Sequence, residues 1–159
     1  MDFRVGTGVD AHALAEGVPL ILGGVRIEHP RGLVGHSDGD VIAHALIDAL
    51  LGAANLGDIG SLFPSDDAEL EGIDSLDMLR RAYERVTGSG WKLVNADCVL
   101  IGEEPRIADR RGEMATALAG ALGVEAERIA VSATTTDRLG FTGRGVGLAA
   151  QAVALLRRT

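Results

Sequence analysis

Asp10 and His12, in the run GTGVDAHAL, are two residues apart, and on a strand both side chains leave the same face. His44 lies in DVIAHALIDALLGAAN with Asp40 and Asp48 four residues to either side, so on a helix the three fall in one row. Every other row is apolar: Val41, Ala45 and Ala49, then Ile42, Leu46 and Leu50, then Ala43, Ile47 and Leu51. A helix of this kind is buried by its surroundings. Its polar row is either a solvent-facing strip or a set of groups that face something particular. Two imidazoles and a carboxylate are the three protein ligands of a catalytic zinc site, whose fourth position takes water or substrate. The same set describes the facial triad of non-haem Fe(II) oxygenases, which generally mount it on a β-barrel. A metal-stabilised structural module is a third alternative, for which three ligands are one short of the usual closed four. In the zinc reading Asp40 and Asp48 are candidates to hold the far side of the His44 ring, although either could equally be an exposed helix charge.

The elements that must position these residues alternate along the chain. FRVGTGVDAHAL reads as a strand, and VPLILGGVRIE as a second strand broken by Gly23 and Gly24 into a hairpin or bulge. A helix runs from about Asp40 to Ala54, followed by the loop LGDIGSLFPSDDAELEG. A second helix starts at Ser75 as N-cap and is ended by Gly88, and Trp91 to Ile101 is a strand. Pro105 suits a helix start, and RIADRRGEMATALAGALG runs as a third helix to a cap at Gly123. RIAVSATTT is again a strand. The tail GVGLAAQAVALLRR has the Ala and Leu content of a helix but the position of an edge or closing strand, and its pattern alone leans to helix.

With 159 residues, 47% hydrophobic and 24% charged, the chain fits one ordinary domain with a sizeable core, 1–159. Its formal charge of −8 argues against general nucleic-acid binding, since a phosphate backbone selects a basic surface. An acidic chain still binds an anion where a metal or a few arginines reverse the sign. One cysteine, Cys98, excludes a disulfide framework and suits a reducing compartment. No apolar run reaches membrane-spanning length, and MDFRVGTGVD lacks the basic and apolar regions of a signal peptide. The expectation is a cytoplasmic protein without a membrane or nucleic-acid partner.

DAH after a Gly-rich first strand, HSDGDVIAHAL, LGDIGSLFPSDD and ATTTDRLGFTGRG together resemble the 2-C-methyl-D-erythritol 2,4-cyclodiphosphate synthases of the non-mevalonate isoprenoid pathway, in register from about Arg4 to Leu156. The resemblance implies an α/β (α+β) subunit with a mixed sheet and helices on one face. It implies a homotrimer, with the sheets around a central axis and each active site shared between neighbours. It also implies that the tail is a strand. Asp10, His12 and His44 match zinc ligands. His36 and Ser37 match residues near the transferring phosphate, and Thr135 matches a second residue thought to stabilise the transition state. Asp58, Ile59 and Gly60, with Phe63 and Asp67, match the pocket for the methylerythritol part, and Pro105, Arg106 and Ile107 match the segment that receives the cytosine. Thr134, Thr135, Thr136 and Asp137 match contacts to the diphosphate and to a second divalent metal, with Phe141 and Arg144 in FTGRG. Outside the family pattern each has a plain alternative, such as a strand threonine, a surface charge or a core phenylalanine.

Two positions depart from the family: Asp137 stands where Glu is most common, and Val146 where several members have Glu near the axis. The first shortens a metal-binding carboxylate by one methylene. The second puts in doubt any isoprenoid diphosphate bound at the axis. The implied reaction is cyclisation of 4-diphosphocytidyl-2-C-methyl-D-erythritol 2-phosphate with loss of CMP, using Zn²⁺ and either Mg²⁺ or Mn²⁺. A phosphate monoester has a second pKa of about 6, so its attack needs no general base. The enzyme has to supply positioning and charge neutralisation. The HSDGD segment at the helix N-terminus offers backbone N–H groups near an anion.

Overall fold

The computed structural model describes residues 2–159. Its frame is a five-stranded mixed sheet in the order β4-β1-β7-β5-β6, built from β1 (Phe3–Glu16), β4 (Arg31–Leu33), β5 (Trp91–Ile101), β6 (Ile129–Thr134) and β7 (Gly147–Arg158), with the hairpin β2 (Leu20–Leu22) and β3 (Val25–Ile27) beside it. Only β5 and β6 are parallel; β7 runs antiparallel to both β1 and β5. Among the described residues five α-helices complete the fold: α1 (Val41–Ala53), the one-turn α2 (Ile59–Leu62), α3 (Ser75–Gly88), α4 (Arg111–Leu122) and the one-turn α5 (Gly140–Gly143). α1 lies on β1, β7 and β5, and α3 and α4 pack beside it on the same side. The core between these layers includes Leu46, Leu50, Leu79, Leu118, Cys98 and Leu156. Among the described residues no helix is long and apolar enough to cross a membrane.

The tail is a strand, and a central one. Its residues alternate with period two: Leu148, Ala150, Ala152, Ala154 and Leu156 are buried under α1, while Gln151, Val153 and Arg157 are not. The three middle inward positions are alanine, pressed fully buried under α1, which gives a strand the composition of a helix. β1 accommodates the helix with Gly6 and Gly8. A Cβ at Gly6 would overlap the carbonyl oxygen of Ala49, and one at Gly8 that of Ala45. On the opposite face of the sheet Val5 and Val9 of β1 are 69% and 64% exposed.

Several boundaries differ from the sequence reading. Asp74, whose carboxylate accepts from Leu76 N, caps α3, while Ser75 is the first helical residue and its hydroxyl is buried against Asp40. Pro105 does not open a helix. Ile107 anchors that segment in the core, and α4 begins only after a 3₁₀ turn over Ala108–Arg110. Gly23 and Gly24, with φ of +57° and +75°, form the tight hairpin turn, and Gly123 caps α4 in the left-handed conformation. The loop after α1 contains α2 and a 3₁₀ turn over Ala68–Leu70, and the short edge strand β4 has no counterpart in the sequence reading.

Candidate active site

Asp10 and His12 leave β1 on the face that α1 covers, and His44 descends from the middle of α1 to meet them. One oxygen, Asp10 Oδ2, lies 3.0 Å from His12 Nε2 and 3.1 Å from His44 Nδ1. The imidazole centroids are 5.6 Å apart and inclined by 65°. Gly8 makes the meeting possible, because without a Cβ there the helix rests directly on the strand two residues before Asp10.

The outer nitrogen of each ring is engaged as well. His12 Nδ1 is 2.7 Å from the carbonyl oxygen of Val34, and His44 Nε2 is 2.9 Å from Ser37 Oγ. A carbonyl only accepts, so His12 Nδ1 carries hydrogen, and a second hydrogen on Nε2 is favoured by the Asp10 carboxylate. The hydrogen bond to Asp10 accordingly raises the His12 pKa above its ordinary value, against the opposing effect of burial. Burial pushes Asp10 upward, but the hydrogen bonds from His12 and His44, reinforced by their charges, outweigh it and hold its carboxyl below the usual value. A cation in place of the shared hydrogens would satisfy all three groups. Tetrahedral zinc with bonds near 2.1 Å sets its ligands ~3.4 Å apart, and the two separations from Asp10 Oδ2 fall only a few tenths of an ångström short. The donor set therefore fits such an ion.

The three residues line a cavity of about 570 Å³ together with His36, Ser37, Ile59, Gly60 and Phe63. Pro64, Ser65, Asp66, Leu70, Ile73 and Met78 complete the wall. None of these six is among the residues that the sequence patterns name, and Met78 carries no signal that separates it from a core residue of α3. Asp58 holds the cavity floor indirectly, capping α2 by accepting from Ser61 N. Asp67 caps the 3₁₀ turn, and its carbonyl oxygen lies 3.3 Å from His36 Nε2.

Asp40 does not support His44. It is fully buried, and its two oxygens accept from Gly23 N, Gly24 N, Ala43 N and Ser75 Oγ at 2.7 to 3.1 Å. Burial raises its pKa while the bond from Ala43 opposes that shift. Asp40 thus ties the β2–β3 turn and the starts of α1 and α3 into one knot. Asp38 adds to it by accepting from Asp40 N and Ser75 N. Asp48 likewise turns away, accepting from Ile59 N at 2.7 Å and so fixing α2 against α1. Burial raises the Asp48 pKa too, with that same bond pulling it down.

The remaining candidates lie elsewhere. Pro105, Arg106, Ile107, Thr134 and Thr135 line a separate cavity of about 310 Å³, although the side chain of Ile107 is in the core and only its neighbours offer polar atoms there. Arg144 lines a third cavity, of about 400 Å³, with Arg31, Arg106 and Arg138. Thr136 donates to Leu139 O and bonds the buried Thr142 hydroxyl, while Asp137 and the 44% exposed Phe141 face outward beside it. One row of the sheet register runs Asp10, Ala150, Leu100, Ala133, which places Thr134 three strand spacings from the Asp10 row, about 14 Å. Thr134 also leaves the opposite face from Asp10, being the strand neighbour of Ala133 in that row. Within one chain the cavity of Asp10, His12 and His44 and that of Thr134 and Thr135 are separate.

Residues 3–157 match the YgbB family. A curated relative from Rubrobacter xylanophilus, named 2-C-methyl-D-erythritol 2,4-cyclodiphosphate synthase, is 58% identical over 98% of this chain and 96% of its own. The bifunctional IspDF from Campylobacter jejuni superposes with a TM-score of 0.96 at 41% identity, over 99% of this chain and 43% of the larger one. A CDP complex of IspF from Plasmodium falciparum superposes with a TM-score of 0.86 at 31% identity, covering 99% of this chain and 97% of that one.

Proposed function

The chain belongs to the YgbB family, and on that premise we propose that it converts 4-diphosphocytidyl-2-C-methyl-D-erythritol 2-phosphate to 2-C-methyl-D-erythritol 2,4-cyclodiphosphate and CMP, as a phosphorus–oxygen lyase of isoprenoid precursor synthesis in the cytoplasm. The observation that carries the reading is the convergence of His12 and His44 on one Asp10 oxygen in the wall of a cavity large enough for a sugar phosphate.

Asp10, His12 and His44 would hold Zn²⁺, and Asp137 would be the protein ligand of Mg²⁺ or Mn²⁺. When bound, these ions supply Lewis-acid polarisation of the β-phosphate and neutralise charge on the diphosphate. The chain's own groups do the positioning. Asp58 and Asp48 keep Ile59 and Gly60 in place against the methylerythritol part, with Phe63 and the Asp67 turn closing over it. His36 and Ser37 orient the phosphates. Pro105, Arg106 and Ile107 receive the cytosine, and Thr134, Thr135 and Thr136 contact the diphosphate. A 2-phosphate oxygen bonds to the β-phosphorus as the β-phosphorus–oxygen bond to CMP breaks. The nucleophile is already ionised at neutral pH, so no side chain acts as base, and the ring closure draws on proximity and charge stabilisation.

Because Thr134, at the end of β6, lies three strand spacings from the Asp10 row and its cavity is separate from that of His12 and His44, a complete site calls for a second copy. A homotrimer with its sites between subunits meets that need, and the exposed Val5 and Val9 on the sheet face away from α1 supply apolar surface for it. The decisive experiment is metal-dependent release of CMP from the cytidyl substrate with identification of the cyclic product. Release of cytidine phosphates without a cyclic product would assign the site to a nucleotide hydrolase instead.

A further inference from the structure

His44 is held from both sides of its ring, and the two sides differ in kind. Nδ1 meets the carboxylate of Asp10, whereas Nε2 meets a hydroxyl, Ser37 Oγ, at 2.9 Å. A neutral imidazole carries one N–H and one lone pair, and a hydroxyl has a single hydrogen but two lone pairs. With the Nδ1 lone pair turned to a metal, Nε2 must carry the hydrogen, so Ser37 Oγ accepts it. The one Ser37 hydrogen is then released from the ring, and Ser37 lines the cavity beside His36. His12 lacks this freedom, since its outer partner is the Val34 carbonyl, which accepts whatever the state of the ring.

Both neighbours of Ser37 are tied down, His36 by its backbone and Asp38 by its carboxylate. Gly72 N donates to His36 O, and Asp38 accepts from Asp40 N and Ser75 N. The hydroxyl is therefore presented to His44 by a pinned loop.

We propose that Ser37 is a positioning residue which couples the two ligands of the site: by accepting Nε2–H it selects the His44 tautomer that offers Nδ1 to the metal, and the same acceptance frees its O–H to donate to a phosphate oxygen in the cavity. Metal loading and oxyanion binding then strengthen one another through one hydroxyl. This rests on the reading of Asp10, His12 and His44 as a metal centre.

The test uses the full chain as wild type, Ser37→Ala and Ser37→Thr. Zinc affinity is measured by chelator competition, and binding of inorganic pyrophosphate to the zinc-saturated proteins by isothermal titration. Ser37→Ala should weaken zinc binding about 10- to 100-fold, with Ser37→Thr recovering to within about threefold of wild type. At saturating zinc, pyrophosphate should bind Ser37→Ala about tenfold more weakly, the worth of one hydrogen bond to a charged group. Wild-type zinc affinity in Ser37→Ala, or a loss that Thr does not restore, overturns the tautomer role. Unchanged pyrophosphate affinity in zinc-saturated Ser37→Ala overturns the coupling. A wild type that binds no zinc overturns the metal centre itself, which separates that failure from the other two.

Discussion

Asp137 and Arg138 both have positive φ, +52° and +69°, in a loop pinned at several points. Asp137 N donates to Thr135 Oγ1, Thr136 is tied to Leu139 and Thr142, and the backbone of Arg138 lies against Gly143 so closely that a Cβ there would overlap it. Such a loop cannot move inward to compensate for a carboxylate one methylene short, so the proposed hold on Mg²⁺ runs through a water, which that ion readily keeps. Asp137→Glu is expected to tighten apparent Mg²⁺ affinity with zinc content unchanged, as read by titration and elemental analysis. Weaker Mg²⁺ binding would mean that the loop has adapted to Asp. His36 supplies a second expectation. If the substrate phosphate is the ionised nucleophile, the rate rises with pH through the phosphate pKa of about 6, because the dianion fraction grows. His36→Ala should lower the rate while keeping that rise in a pH–rate profile, and a flat profile would make His36 the base. Asp10, His12 and His44 are legible in the sequence because the periods of strand and helix fix which face each occupies. The task of Asp40 is not: three of its four partners, Gly23, Gly24 and Ser75, lie 16 to 35 residues away. No local pattern reports a hydrogen bond across that distance.

The contact of α1 with β1 is set by backbone meeting backbone at Gly6 and Gly8. Gly8→Ala inserts a methyl between them and must push the helix, with His44, away from Asp10. A loss of about 1–3 kcal/mol in denaturant unfolding is expected, with a parallel loss of zinc affinity because His44 is displaced. A variant that lost stability but bound zinc normally would show that the helix yields elsewhere. The same closeness explains what misleads in the tail. β7 carries alanines fully buried under α1, so composition points to helix although every inward position alternates with an outward one. Hydrophobic content records how much apolar surface an element needs, while the distance to its neighbour decides residue size, and a single sequence does not display that distance. The α3 cap shifts by one residue for a related reason: Ser75 has the right chemistry for capping but is drawn into the Asp40 knot, leaving Asp74 to cap.

At the scale of the whole molecule, the division of candidates between two separate cavities makes a sharp prediction about mixtures. His44→Ala and Asp137→Ala should each be inactive alone. If the proposed trimer forms, assemblies reconstituted from equal amounts should regain about one quarter of wild-type activity, since sites that pair an intact His44 with an intact Asp137 occur at that frequency in a cyclic assembly. If each chain held its own complete site, mixing would restore nothing. Cys98 bears on the molecule in a different way. It lies fully buried in β5, and burial pushes its thiol up to about 12, so it offers neither access nor thiolate to a reagent. The fold thereby contains its own opening gauge. Alkylation at pH 8 should be negligible in native buffer and should appear along a urea series together with the loss of helical circular dichroism, because β5 is reached only when the layers part. Labelling that preceded the circular dichroism transition would reveal a sheet that loosens before its helices do.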